Sequence, residues 1–351
     1  MKPALTAIAA AAAALALAAP ADAQQTELKF STFVPPTHGF VVDVLEPLAK
    51  EIEKKSGGKV TVRVFAGNSP FGKVENQADQ VKQGVVDLAF GLNGIPRGRY
   101  LRTSIMEMPF VAESSDLASR TLWAMSKGAL AADWKDFKLA ALHCHNPGLF
   151  HTRDKPLRTI YDVKGLRMRA PNPPTQDLLA FLGATPVGMP PGQVYENLEK
   201  GVIDGAVFPW DAIKGFRLEH LLKVHLDARV YSSCFHLVMN PERFASYPPE
   251  VQKAIDSSIG QPLVDKFGAW WNGWDKAGFE AAMKAGGTLQ QVPDATREKW
   301  RAELKPVVDQ QLSKLEKESV PDARAIYDEM LKTEARLAHN RDRPLISLCA
   351  N

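Results

Sequence analysis

Cysteine is scarce in this chain, with 3 among 351 residues. Cys144, Cys234 and Cys349 show no metal-site spacing, and an odd count in an oxidising compartment leaves at least one thiol unpaired. Long apolar runs are scarce as well. Beyond residue 23 no stretch is long and apolar enough to span a bilayer, so the mature chain is not expected to insert into a membrane. The formal charge is only +3, without a basic run interleaved with aromatics, which excludes nucleic acid as a partner. The slight basic excess suits anionic solutes. Catalytic signatures are missing too. There is no Gly-x-Ser-x-Gly elbow and no Gly-x-x-x-x-Gly-Lys-Ser/Thr loop. Gly91-Leu92-Asn93-Gly94 and Gly286-Gly287 are not phosphate fingerprints. His143-Cys144-His145 resembles a fragment of a metal site, but on a strand its two histidines share a face with no third ligand in view. Nothing assembles a nucleophile, a base and an orienting group.

What is present begins with a leader. Lys2, an Ala/Leu run and Ala21-Asp22-Ala23 before Gln24 form a secretory signal peptide over 1–23. No cysteine follows the cleavage site, so no lipid anchor is expected. The remaining length, with 45% hydrophobic residues overall, suffices for two α/β lobes sharing a hinge.

Hydrophobic periodicity then alternates between strand and helix. Thr26 to Phe33 reads as a strand, Phe40 to Lys55 as a helix stopped by Gly57-Gly58, and Lys59 to Phe65 as a strand. Val74 to Gln83 follows as a helix, and Val86 to Phe90 as a buried parallel strand. This order predicts a parallel sheet with crossover helices. Lys138 to His143 and Leu149 to Thr152 are strands at a passage between lobes, and Asp227 to Asn240 is a strand-rich return. Pro248 to Lys284 reads as one long, bent helix spanning both lobes; its Trp270, Trp271 and Trp274 are expected to pack there.

The stretch that organises the rest is Gly165-Leu166-Arg167-Met168-Arg169-Ala170-Pro171-Asn172-Pro173. It is a strand that alternates, with Arg167 and Arg169 opposite Leu166, Met168 and Ala170, and that ends at two prolines. A guanidinium near the C-terminal end of a strand lies where open α/β sheets bind ligands, and its fork suits a carboxylate.

This block resembles the signature of the periplasmic solute-binding subunits of TRAP transporters, the DctP-like family. The likeness continues through Gly183-Ala184-Thr185-Pro186-Val187-Gly188-Met189-Pro190, Val194-Tyr195-Glu196-Asn197-Leu198 and Gly201-Val202-Ile203-Asp204-Gly205-Ala206. Order and spacing carry it, over nearly the whole mature chain. It implies a two-lobed α/β periplasmic-binding-protein fold (type II-like) with hinge strands. Lobe I is expected over 24–147 plus roughly 235–274, lobe II over 148–234 plus roughly 275–338, and a tail over 339–351. It also implies a receptor that hands an organic acid to a small and a large permease subunit, with Arg169 on the carboxylate. The family uses the segments of Cys144 and Cys234 as neighbouring crossover strands, which raises a disulfide; two buried thiols are the preferred expectation.

The expected ligand-binding set is Arg169, Asn172, Phe208, Trp210, Asn93, His38, Phe150 and Phe33, all close to strand ends. Val207-Phe208-Pro209-Trp210-Asp211 keeps neither the asparagine of sialic-acid-type members nor the carboxylate pattern of cation-assisted ones, so no metal or cofactor is expected. The place of a second carboxylate-binding arginine falls at Leu149, beside Phe150. Together these imply a monocarboxylate with an apolar or aromatic body. The alternatives are a periplasmic metal-dependent hydrolase using His143 and His145, and a ligand receptor for a sensor kinase.

Overall fold

The structure is a computed structural model that describes residues 26–341. The signal peptide at 1–23, Cys349 and the chain from 342 onward lie outside the described residues.

Two sheets form the core of two lobes. Strands β1 (Thr26–Thr32), β2 (Val60–Phe65), β3 (Leu88–Leu92), β4 (Lys138–Cys144) and, from much later in the chain, β10 (Cys234–Met239) make the first, in the order β2-β1-β3-β10-β4. Strands β5 (Gly148–Thr152), β6 (Arg167–Ala170), β7 (Thr185–Gly188), β8 (Gly205–Phe208), β9 (Val224–Tyr231) and β11 (Thr288–Gln290) make the second, in the order β11-β9-β5-β8-β6-β7. β1 runs parallel to both its neighbours, as the strand–helix alternation predicts. β10 enters antiparallel between β3 and β4. Every residue of β3 is buried, which explains its unbroken apolar run.

Helices cover the sheets: α1 (Glu46–Lys55), α2 (Ser115–Met125), α3 (Pro173–Phe181), α4 (Trp210–Gly215), α5 (Phe267–Lys284), α6 (Lys305–Glu318) and α7 (Ala323–Arg341), with shorter turns between. Ser114 caps α2 by accepting the Leu117 amide. The helix expected from Pro248 to Lys284 is three pieces: Pro249–Asp256, Gln261–Val264 and α5. Gly260 breaks it, with φ at 77° and its amide donated to Ala140 O. α5 does span both lobes. Phe267, Trp271 and Trp274 join the aromatic core of the first, whereas Ala282 packs in the second beside α4. Gly278 allows that approach, since a Cβ there would lie 1.9 Å from Trp210 O. The final helix departs from the expected division. Ile326 and Met330 of α7 pack with α2 residues on the first sheet rather than on the second.

The chain changes sheet three times: between β4 and β5, between β9 and β10 and, by way of α5, between β10 and β11. At the root of the first two crossings the preferred expectation of free thiols is overturned: Cys144 and Cys234 form a disulfide. They are direct partners in the β4–β10 register, which sequence spacing does not reveal.

Candidate functional site

Arg167 and Arg169 are two apart on β6 and have opposite fates. Arg167 is exposed and forks onto Asp204, Nη2 to Oδ1 at 2.6 Å and Nε to Oδ2 at 3.0 Å. Arg169 is 1% exposed and, among the described residues, has no carboxylate within ion-pair distance. Its Nε donates to Met189 O (3.2 Å) and its Nη1 to Val207 O (3.1 Å), while the guanidinium carbon stands 4.1 Å over the Phe208 ring. Burial pushes its pKa down to about 10. A buried cation whose neighbours are two carbonyls and a ring can hold an anion.

The guanidinium faces a cavity between the lobes, part of it continuous with solvent. The walls are largely aromatic. Phe40 stacks on Phe90 at 3.6 Å between centroids, and Phe33 and Phe235 flank Phe90 at 5.3 Å each. Phe208 and Phe216 close the second-lobe side, and Trp271 reaches in from α5. Tyr231 also lines the cavity. Its hydroxyl is buried without a partner, and burial keeps it protonated. Gly148 makes room for this ring, since a Cβ would lie 2.3 Å from it.

Two histidines are fixed in tautomer by what donates to them. The Phe40 amide donates to His38 Nδ1 (3.1 Å), so Nε2 carries the proton and donates to Asp211 Oδ2 at 3.0 Å. His38 follows β1 and Asp211 sits in the first turn of α4, so this bond crosses the cleft. The Ser233 amide donates to His145 Nε2 (2.9 Å), and His145 Nδ1 donates to Asn146 O (2.5 Å). Burial holds His145 near 4 and keeps it neutral. His143 lies between Phe90 and Phe267 and accepts from Trp271 Nε1 at 3.2 Å. Neither histidine of that pair points at a shared ligand position, and no cluster of three metal-ligating side chains occurs among the described residues.

Of the residues expected from sequence, Arg169, Phe208, His38 and Phe33 line the cavity. The other four are placed elsewhere. Asn172 caps α3, its Oδ1 accepting from the Thr175 amide and hydroxyl, and donates to Ser233. Asn93 accepts from His236 Nδ1 at 2.8 Å behind the site. Trp210 turns its ring against His225 and Phe279. Phe150 is fully buried in the second-lobe core. Sequence reasoning missed Tyr231, Ser233, Phe235 and Asp211. Asp211 stood in the Val207–Asp211 stretch, whereas the other three carry no local signal, because a buried residue in or beside a strand looks the same whether it faces core or cavity.

Closure brings backbones together. A Cβ on Gly94, in the first lobe, would lie 2.5 Å from Asn172 Cβ in the second. Gly94 is not among the positive-φ residues, so alanine suits its own backbone. Gly94→Ala should therefore leave the ligand-free melting temperature near wild type while weakening ligand affinity by about tenfold to a hundredfold, the usual cost of overpacking. Unchanged affinity in a titration would show that the lobes do not close this far.

Behind the cavity, Glu107 is fully buried, and Oε1 accepts the Cys234 amide at 2.8 Å. Burial pushes its carboxyl from 4.5 up to about 8. A raised folded pKa contributes stability that is complete below about 4.5 and lost as pH rises through about 8. The buried histidines act oppositely and only at acid pH, as His145 and His236 are depressed to about 4 and about 3. Between about pH 5 and 8 the melting temperature should fall, and Glu107→Gln should make that fall shallower, the rest coming from Glu334 and Asp275, which burial also pushes up, to about 8 and about 7. Parallel pH profiles for the two proteins would refute this.

Two lobes closing over a buried guanidinium in an aromatic cavity define a two-lobed binding protein for organic anions. The family described as bacterial extracellular solute-binding protein, family 7 (DctP) matches residues 30–315. The chain belongs to that family, whose members are substrate-binding receptors. A TRAP solute-binding protein from a marine metagenome, described as specific for aromatic acid ligands and solved with metahydroxyphenylacetate, is 30% identical, with a TM-score of 0.82 over 89% of this chain and 99% of its own. A TRAP solute-binding protein from Rhodoferax ferrireducens with copurified benzoate is 28% identical, with a TM-score of 0.86 over 90% of this chain and 99% of its own. A solute-binding protein of Chromohalobacter salexigens is 26% identical over 76% of this chain and 79% of its own length.

Proposed function

We propose that this chain is a non-catalytic periplasmic receptor that captures an aromatic monocarboxylate and delivers it to the two membrane subunits of a TRAP permease. The signal peptide would take it there, and among the described residues no helix is long and apolar enough to cross a membrane. The observation that carries the reading is Arg169: buried, forked, without a carboxylate partner, and facing a cavity walled by rings. A single such cation balances a single carboxylate. Leu149, at the place of the family's second arginine, is apolar and buried. The aromatic acids bound by the marine and Rhodoferax relatives support the same class. Ligand binding favours closure by its differential affinity for the closed form, which here means contacts completed from both lobes.

A thermal-shift comparison tests the reading. Benzoate or a hydroxyphenylacetate should raise the melting temperature more than succinate or sialic acid at equal concentration. The reverse order would reject the proposal.

A further inference from the structure

Hydrogen-bonding capacity on the cavity wall is mostly committed. Both nitrogens of His38 and both of His145 are engaged. Donors remain at Arg169 Nη2, at the Tyr231 hydroxyl and at Ser233, whose Oγ accepts from Asn172. These suit the oxygens of a carboxylate. One charged acceptor is left over. Asp211 lines the cavity and is 6% exposed; Oδ2 is held by His38, and Oδ1 has no protein partner among the described residues. Its backbone is fixed as well, because the Asp211 amide donates to Asp275 Oδ1 at 2.9 Å, tying α4 to α5.

We infer that the solute carries, besides its carboxylate, one hydrogen-bond donor, a hydroxyl on its aromatic body, which Asp211 accepts. This rests on the proposed aromatic-acid function and narrows it to hydroxylated aromatic acids. An acid without the hydroxyl leaves a carboxylate oxygen dry and unpaired on closure, and a site with unpaired buried polar groups rejects such an analogue. A positively charged amino group does not fit equally well. An ammonium brings three donors, and the wall offers one unengaged charged acceptor. His38 and the hydroxyl would share one carboxylate, so the solute completes a bond network that already joins the two lobes.

Calorimetric titration of the full mature chain with benzoate, the three monohydroxybenzoates, a methoxybenzoate and phenylalanine is the test. At least one hydroxybenzoate should bind about tenfold to a hundredfold tighter than benzoate, and its methyl ether, which cannot donate, should lose that gain. In Asp211→Asn the His38 bond survives through the amide oxygen while the remaining atom becomes a donor, so the hydroxyl preference should shrink to within about threefold. Equal affinity of wild type for benzoate and every hydroxybenzoate would overturn the inference while leaving the proposed function standing. Tightest binding of phenylalanine would also overturn it. Binding of none of the aromatic acids would reject the proposed function itself. The wild-type comparisons decide the matter even where Asp211→Asn fails to fold.

Discussion

Arg169→Ala should all but abolish binding of the acid while scarcely changing the ligand-free protein. Removing one partner of a buried, hydrogen-bonded charge pair costs on the order of 2–5 kcal/mol, roughly thirtyfold to several thousandfold in affinity. The ligand-free melting temperature responds to two opposed terms. The variant loses packing over Phe208 and the bonds to Met189 O and Val207 O. It also sheds a buried cation that no carboxylate balances, and the desolvation cost of that cation disappears. Arg169→Lys should recover little, because a point charge on a flexible stem cannot fork onto two oxygens. Calorimetric titration gives the affinity and differential scanning gives the melting temperature. Retained affinity in the alanine variant would remove the central contact of the proposed site. A collapse of the ligand-free fold would make Arg169 a structural residue instead.

The second large effect is covalent. Cys144 and Cys234 close a loop with a sequence separation of 90. In the chain-entropy account, a loop of that length confers about 4–5 kcal/mol by restricting the unfolded chain. Replacing both cysteines with alanine should lower the unfolding free energy by about that amount, read from the denaturant midpoint at constant slope. Mass spectrometry of the alkylated, non-reduced protein should find both positions unlabelled. Labelling at both would leave two thiols packed between β4 and β10 and would remove the stabilisation.

The elements that were legible in the sequence are those whose pattern repeats locally. Alternation marked β6 and set Arg167 and Arg169 on one side of it; what separated their roles was Asp204, a carboxylate 37 residues away that claims the first and not the second. Strand ends pointed to Phe33, His38 and Phe208, which line the cavity. The same rule pointed to Asn93 and Asn172, which the structure engages as a core contact and a cap, since a short amide after a strand serves equally well in either role. Trp210 lies off the cavity lining for a different reason. It stands in the first turn of α4, one position before Asp211, and neighbours on a helix face different ways. Tyr231 and Ser233 reach the cavity only because β9 gives way to β10 there, a property of topology rather than composition.

The covalent tie between β4 and β10 has a mechanical consequence. Beyond it the two strand crossings keep only 145–147 and 232–233 in which to bend, with α5 as a third link between the lobes, and His145 and Ser233 also line the cavity. Rotation about so short a pivot barely displaces groups beside the axis, whereas the outer rims of the lobes travel far. On the proposed function, an acid bound there would be held nearly still while a small change at the centre is levered into a wide sweep at the face a docking partner would read.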